Sequence, residues 1–244
     1  MGFGNGMAIG WPNATYQSGI PNLTAYIPGN LNLELDGEYT LRWWARGINP
    51  NLNNEYNVFF SCSDDLNIHS AYLVNTGTFG SPAYRFIYTV NNITKIDESV
   101  PEIVAQQWNF FQIERAVGVG FDRIYFSING VWRSSLAGTP GIVNPSTYPL
   151  FIGSNGIGNI LNGAITNFQW QRGLINDPGI DFTVPESNFA PNGGTVLLIG
   201  IGTNLTELKT DLSGNNPNVI AGTNCSYEAV DPWGDSSTGS FLFQ

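Results

Sequence analysis

Apolar and polar side chains alternate with a period of two along much of this chain, and no other feature constrains its fold so tightly. In the stretch Tyr39 to Arg46, Tyr39, Leu41, Trp43 and Ala45 fall on one face and Thr40, Arg42, Trp44 and Arg46 on the other. From 124 to 129, Ile124, Phe126 and Ile128 alternate in the same way with Tyr125, Ser127 and Asn129. Successive side chains of a strand point to opposite faces, so such stretches read as strands with one face in a core. Further strands are expected at 57–61, 71–75, 85–90, 108–115, 150–153, 164–171 and 195–201. Turn clusters separate them: Asn129-Gly130, Asn155-Gly156, Asn162-Gly163, Asn192-Gly193-Gly194 and Ser213-Gly214-Asn215-Asn216. Asn and Gly supply the positive φ that tight hairpins need. No sustained helical stripe is present; 101–107 is expected to form at most one helical turn ahead of Trp108. Many short strands at regular spacing indicate a sandwich or barrel. The expectation is one all-β domain over residues 1–244.

Composition narrows the partners. Hydrophobic residues make up 42% of the chain, enough for a core, while charged residues make up only 11%, about half the usual share. The polar surface therefore comes mainly from uncharged side chains. Net charge is −10 and the only lysines are Lys95 and Lys209, so phosphate backbones and anionic membranes are repelled. No apolar run approaches the ~18 residues of a membrane span, so membrane insertion is not expected. The first residues, Met1 to Ile9, have neither the basic region nor the apolar run of a signal peptide. Two cysteines, Cys62 and Cys225, make no disulfide framework and are read as buried free thiols.

Five segments follow in order: EYTLRWWAR at 38–46, QWNFFQIER at 107–115, RIYFSINGV at 123–131, LFIGSN at 150–155 and NGAITNFQWQR at 162–172. Together they resemble the laminin-G-like, concanavalin A-like jelly rolls. The resemblance spans about residues 30–175 and implies a two-sheet antiparallel jelly-roll sandwich. The last fifty residues, with TVLLIGIG at 195–202, DLSGN at 211–215 and GSFLFQ at 239–244, resemble segments that open such a domain. Three readings of 195–244 stay open: a circularly permuted sandwich, the start of a second repeat, or strands completing a neighbouring subunit's sheet.

Each candidate site has a plain alternative. Glu34, Asp36 and Glu38 match the carboxylate row of sandwich-fold glycoside hydrolases, which need two acids roughly 5 Å apart on one face. Here Asp36-Gly37 reads as a turn that splays them, so no catalytic residue is expected. His69, the single histidine, is read as a surface or capping residue rather than a metal ligand. No metal site is expected, although Asp211 to Asn215 and Asp64-Asp65 could each lend oxygens to a structural calcium, as in many members of the family. Sequons begin at Asn13, Asn22, Asn92, Asn204 and Asn224, and an Asn-rich chain produces them by chance. Lectins of this architecture present aromatic and polar groups on the concave face, and the resemblance places Arg42, Trp44, Arg46, Tyr125 and Asn129 there as ligand-binding residues. Trp43, Trp108, Phe168 and Trp170 are assigned to the core. The expected function is a non-catalytic lectin-like module on a virion or other extracellular surface, contacting host glycans. It is expected to form a homo-oligomer or to dock on a larger assembly. The alternatives are a capsid-decorating protein that binds only other proteins, and a glycoside hydrolase.

Overall fold

The computed structural model describes residues 25–27, 37–46, 56–62, 66, 69–77, 81–104, 107–137, 149–155, 161, 163–216, 220–221, 225–228, 232–233 and 240–243. Two antiparallel sheets stack into a jelly-roll sandwich. The first runs β13 (Ile220–Ala221), β1 (Ala25–Ile27), β10 (Leu150–Ile152), β3 (Tyr56–Ser61), β4 (His69–Asn75), β5 (Tyr84–Val90) and β6 (Ile93–Ser99). The second runs β14 (Cys225–Glu228), β15 (Ser240–Phe243), β11 (Ala164–Arg172), β2 (Tyr39–Arg46), β7 (Asn109–Gly118), β8 (Phe121–Ile128) and β9 (Val131–Ala137). A further strand, β12 (Thr195–Ile199), pairs with β11 beside β15. Residues beyond 195 thus contribute to both sheets, through β13 next to β1 and through β12 and β15 next to β11.

The period-two pattern explains the interior. Tyr39, Leu41, Trp43 and Ala45 of β2 are fully buried, as are Phe126 and Ile128 of β8. Trp43 sits centrally, 5.5 Å from Phe111 in near-parallel stacking and 5.3 Å from Phe59. Phe86 of the first sheet lies flat on Phe126 of the second, with centroids 4.0 Å apart. Such pairs contribute about 0.5–1.5 kcal/mol each beyond the area they bury. Phe168 and Trp170 join this core as expected. Trp108 is only partly buried and packs on the opposite side of the second sheet.

Two strands lack the expected signal. β6 and β9 lie at sheet edges and bury little; in β9 Val131, Trp132 and Leu136 are all exposed. The β5–β6 hairpin turns through Asn91 and Asn92, both at positive φ (50° and 62°). Asn tolerates that region better than other L-residues, so an Asn-Asn pair does the work usually given to Asn-Gly. Residues 101–102 form a turn rather than a helical segment. The one helix among the described residues, α1 (Leu205–Leu208), is capped by Asn204, whose side chain accepts from the Glu207 N–H.

The first sheet holds a correction. His69 is 3% exposed, not a surface residue. It opens β4, and its ring bridges the Cys62 thiol (Nδ1–Sγ 3.4 Å) and the Tyr88 hydroxyl (Nε2–O 3.0 Å). Tyr88 in turn meets the Tyr39 hydroxyl at 2.9 Å. A neutral imidazole has one donor and one acceptor, so two directions are open to this chain of bonds. If Tyr39 donates toward Tyr88, Tyr88 toward Nε2 and Nδ1–H toward Cys62, only a weak S–H donor is left over. The reverse leaves a tyrosine O–H unmet, which costs more in a buried site. The first direction is therefore favoured. Burial lowers the His69 pKa to about 3 and raises Tyr39 to about 12. Cys62 is a buried free thiol, as expected; the side chain of Cys225 lies outside the described residues.

Candidate functional site

The outer face of the second sheet was expected to be bare. Instead, residues 174–192 run across it as an irregular strap. Phe189, Phe182 and Val184 from that strap, together with Trp233, form a second apolar cluster with Trp44, Phe110 and Leu198. Trp44 is left only 7% exposed, 5.2 Å from Phe110 and 6.1 Å from Trp233. Its ring has no open face, which corrects the expectation that it stacks on a sugar. A period-two pattern distinguishes the two faces of a strand but says nothing about what a distant segment lays over the outer one.

Polar groups fasten the strap. The backbone N–H groups of Ile175 and Asn176 donate to Glu114 Oε1 at 3.3 and 3.1 Å. Desolvation raises the pKa of Glu114, and those donors partly offset it. Phe189 N–H donates to Oδ1 of Asn167, a residue held at φ 53°, at 2.7 Å. The Trp233 indole donates to the Pro185 carbonyl at 3.0 Å. Arg42, half-buried, donates from Nε to Gln169 Oε1 at 2.7 Å and lies 4.0 Å over the Phe189 ring. Desolvation lowers its pKa to about 10, opposed by the charge of Glu114. Arg46 sits 5.4 Å over the Trp108 ring. Two of the anticipated ligand residues thus serve to hold this layer together.

Asn129 is also occupied. At φ 51° it begins the β8–β9 turn, accepts from Phe110 N–H at 2.8 Å and donates to Asn109 Oδ1 at 3.2 Å. Gly130 follows at φ 80°, with its carbonyl accepting from Phe182 N–H at 2.8 Å. A Cβ on Gly130 would stand 2.2 Å from the Phe182 carbonyl oxygen, so only glycine permits this approach.

Tyr125 has a different setting. It is half-buried on the outer face of β8, paired across the ribbon with Ser135. Trp132, paired with Ser127 next to a bulge in β9, stands on the same face and is 40% exposed. The strap passes both at Gly179, where a Cβ would lie 3.3 Å from the Tyr125 ring and 3.9 Å from the Trp132 indole nitrogen. Asp181 accepts from Trp132 N–H at 2.8 Å and fixes the strap to the edge strand. Arg123, exposed, donates to Ser135 Oγ at 3.2 Å. The open part of the face is therefore a ribbon of Arg123, Tyr125, Trp132 and Ser135, bordered by Gly179 and Asp181. Sequence reasoning named only Tyr125. The signal for Trp132 was a tryptophan two residues after an Asn-Gly turn, where hairpin pairing returns it beside Tyr125.

Other candidate sites have plain structural roles. Asp211 is buried and accepts from the N–H groups of Leu198, Ser213 and Asn216, from Ser213 Oγ and from Asn216 Nδ2, at 2.6–3.0 Å. A carboxylate so surrounded by donors is set to hold a turn, not a cation. No group of three or more acidic, His or Cys side chains suited to a metal is found among the described residues. Glu38 is exposed after the bend at 37–38 and accepts weakly from Val117 N–H at 3.4 Å. Glu34, Asp36, Asp64, Asp65 and the sequons at Asn13, Asn22 and Asn224 lie outside the described residues. Asn92 is exposed in its hairpin turn.

No protein-family model and no curated protein matches the sequence. Solved structures do. A candidate carbohydrate-binding protein from Bacteroides ovatus matches at 9% identity and TM-score 0.48, over 90% of this chain and 58% of the other. A heptameric SAP-like pentraxin from Limulus polyphemus matches at 14% identity and TM-score 0.41, over 65% and 80%. Mouse laminin α1 domains LG4-5 match at 12% identity and TM-score 0.33, over 79% and 55%. The likeness is one of fold.

Proposed function

We propose that this chain is a non-catalytic, lectin-like module that binds glycans through the Tyr125–Trp132 ribbon, displayed on an extracellular or virion surface as an oligomer or docked on a larger assembly. The observation that carries the reading is Trp132, a large ring exposed at 40% yet fixed through its backbone by Asp181 and flanked by hydroxyl and guanidinium donors. A flat aromatic face packs on the C–H face of a pyranose, and nearby donors read its hydroxyls. Held by a strand and a clamped strap, the platform keeps its geometry without ligand, which lowers the ordering cost of binding. The test is a glycan array with wild type and Trp132→Ala. Binding lost by more than about ten-fold with an unchanged unfolding midpoint supports the reading; wild type binding no glycan overturns it. Reducing-end release from any bound polymer, abolished in Glu38→Gln, would overturn the non-catalytic part.

One observation supports a second reading, in which the partner is a protein. The β7–β8 hairpin tip exposes Val117, Val119 and Phe121 together, and Val119 projects fully into solvent. Exposed apolar groups gathered at one tip suit a protein contact. A Val119→Asp, Phe121→Ser variant that leaves its native assembly while still binding glycan would separate the two roles.

A further inference from the structure

We infer that the ribbon takes a glycan bearing a carboxylate, of the uronic- or sialic-acid class, with Arg123 as the side chain that reads the acid. The inference rests on the glycan-binding reading above and deepens it. Its origin is a disparity among the arginines. Arg85 pairs with Asp97 at 2.6 Å, Arg115 with Asp122 at 2.8 Å and Arg133 with Glu102 at 3.0 Å. Arg42 lies under the strap on Phe189, within the field of Glu114. Arg123 is exposed, and among the described residues no carboxylate pairs with it; its one hydrogen bond goes to Ser135 Oγ. Ser135 is the cross-strand partner of Tyr125, so the guanidinium leans along the ribbon toward the aromatic pair. A guanidinium carries five N–H donors in a planar fork suited to bidentate contact with a carboxylate. One donor is used, and the fork remains on the open face.

Spacing supports the assignment. Arg123 and Tyr125 are two residues apart on one face of β8, and Trp132 is paired with Ser127, two residues further. At about 3.3 Å per residue, the row from Arg123 to Trp132 is roughly 13 Å long. That is the reach of a short oligosaccharide, with one ring stacked on Trp132 and an acidic unit at Arg123. Three acids beside the ribbon are already engaged. Glu114, opposite Tyr125 on β7, receives the Ile175 and Asn176 amides under the strap. Asp181 receives Trp132 N–H at the far end, and Asp122 is held by Arg115. The overall charge of −10 sets an upper limit on ligand charge. It repels densely sulfated or phosphorylated polymers, so the ligand carries isolated carboxylates on an otherwise neutral chain.

The test titrates wild type, Arg123→Gln and Trp132→Ala with acid and neutral twins: xylotriose bearing a single glucuronate against xylotriose, and sialyllactose against lactose. A broad glycan array is run alongside. The expected result is roughly ten-fold or tighter binding of at least one acid member over its twin. That preference disappears in Arg123→Gln, weakens as salt rises, and leaves a residual binding that Trp132→Ala removes. If glycans bind through Trp132 but neutral twins bind equally, or the acid preference survives Arg123→Gln, the inference is overturned and the glycan reading stands. If wild type binds nothing on the array, both fall.

Discussion

Because His69 is the chain's single histidine, its burial can be tested by pH alone. An exposed histidine takes up a proton near pH 6.5, whereas burial between Cys62 and Tyr88 lowers that of His69 to about 3. As pH falls through 6.5 the unfolded chain binds a proton that the folded chain refuses. The stability contributed by neutral His69 is thus fully present above pH 6.5 and is lost progressively down to about pH 3. At pH 4.5 the unfolded state has gained two pH units of protonation, worth about 2.7 kcal/mol, and the folded state almost none. The assay is urea denaturation followed by tryptophan fluorescence at pH 7.5 and 4.5, for wild type and His69→Gln. Carboxylates, including Glu114 with its raised pKa, contribute to both proteins and cancel in the comparison. Wild type should lose about 2–3 kcal/mol more than the variant on acidification. Equal losses would show that His69 reaches solvent or stays charged in the fold, and the hydrogen-bond chain to Tyr39 would have to be abandoned.

Other perturbations probe the remaining supports. Asp211→Ala strips the acceptor from three backbone N–H groups, one of them on fully buried Leu198, and should cost about 3 kcal/mol by denaturant titration. Gly130→Ala forces a Cβ against the Phe182 carbonyl at positive φ; it should cost about 2 kcal/mol and speed hydrogen exchange at the Phe182 amide. Glu114→Gln keeps an acceptor oxygen for Ile175 and Asn176 while removing a charge that burial disfavours. A raised folded pKa means stability falls as pH climbs above the usual carboxylate range, so this variant should gain on wild type at pH 7.5 and lose that advantage near pH 4, read from unfolding midpoints.

The sandwich was legible where strands are long and one face is apolar. β2 falls on the expected residues, and β7, β8 and β11 lie close to theirs. β6 escaped notice because Thr94, Asp97 and Ser99 belong to an edge that faces water, and β9 because it buries almost nothing. The outer face of the second sheet was legible only in part. Tyr125 was found through its strand and Asn129 lies in the turn that follows it; Arg42 and Trp44 were placed on the correct strand but assigned the wrong surroundings. Their surroundings come from Phe182, Phe189 and Trp233, far along the chain and without regular structure, so no local period announces them. His69 misled for a related reason. It follows the polar run Ser63-Asp64-Asp65 and reads as part of a connection, and its burial is decided by Tyr88 on the adjacent strand and Phe60 at 5.3 Å.

The strap has a consequence for how such a protein can change. A sheet clad on both sides cannot offer its whole breadth to a visitor, so contact is confined to a margin two strands wide. That margin adds to the apolar interior through the inward residues of β8, Ile124, Phe126 and Ile128. On the proposed reading, exchanges at Arg123, Trp132 or Ser135 alter what is recognised while the aromatic interior around Trp43 stays as it is. Under that reading recognition and folding fall to different parts of the chain, and the first can drift without endangering the second.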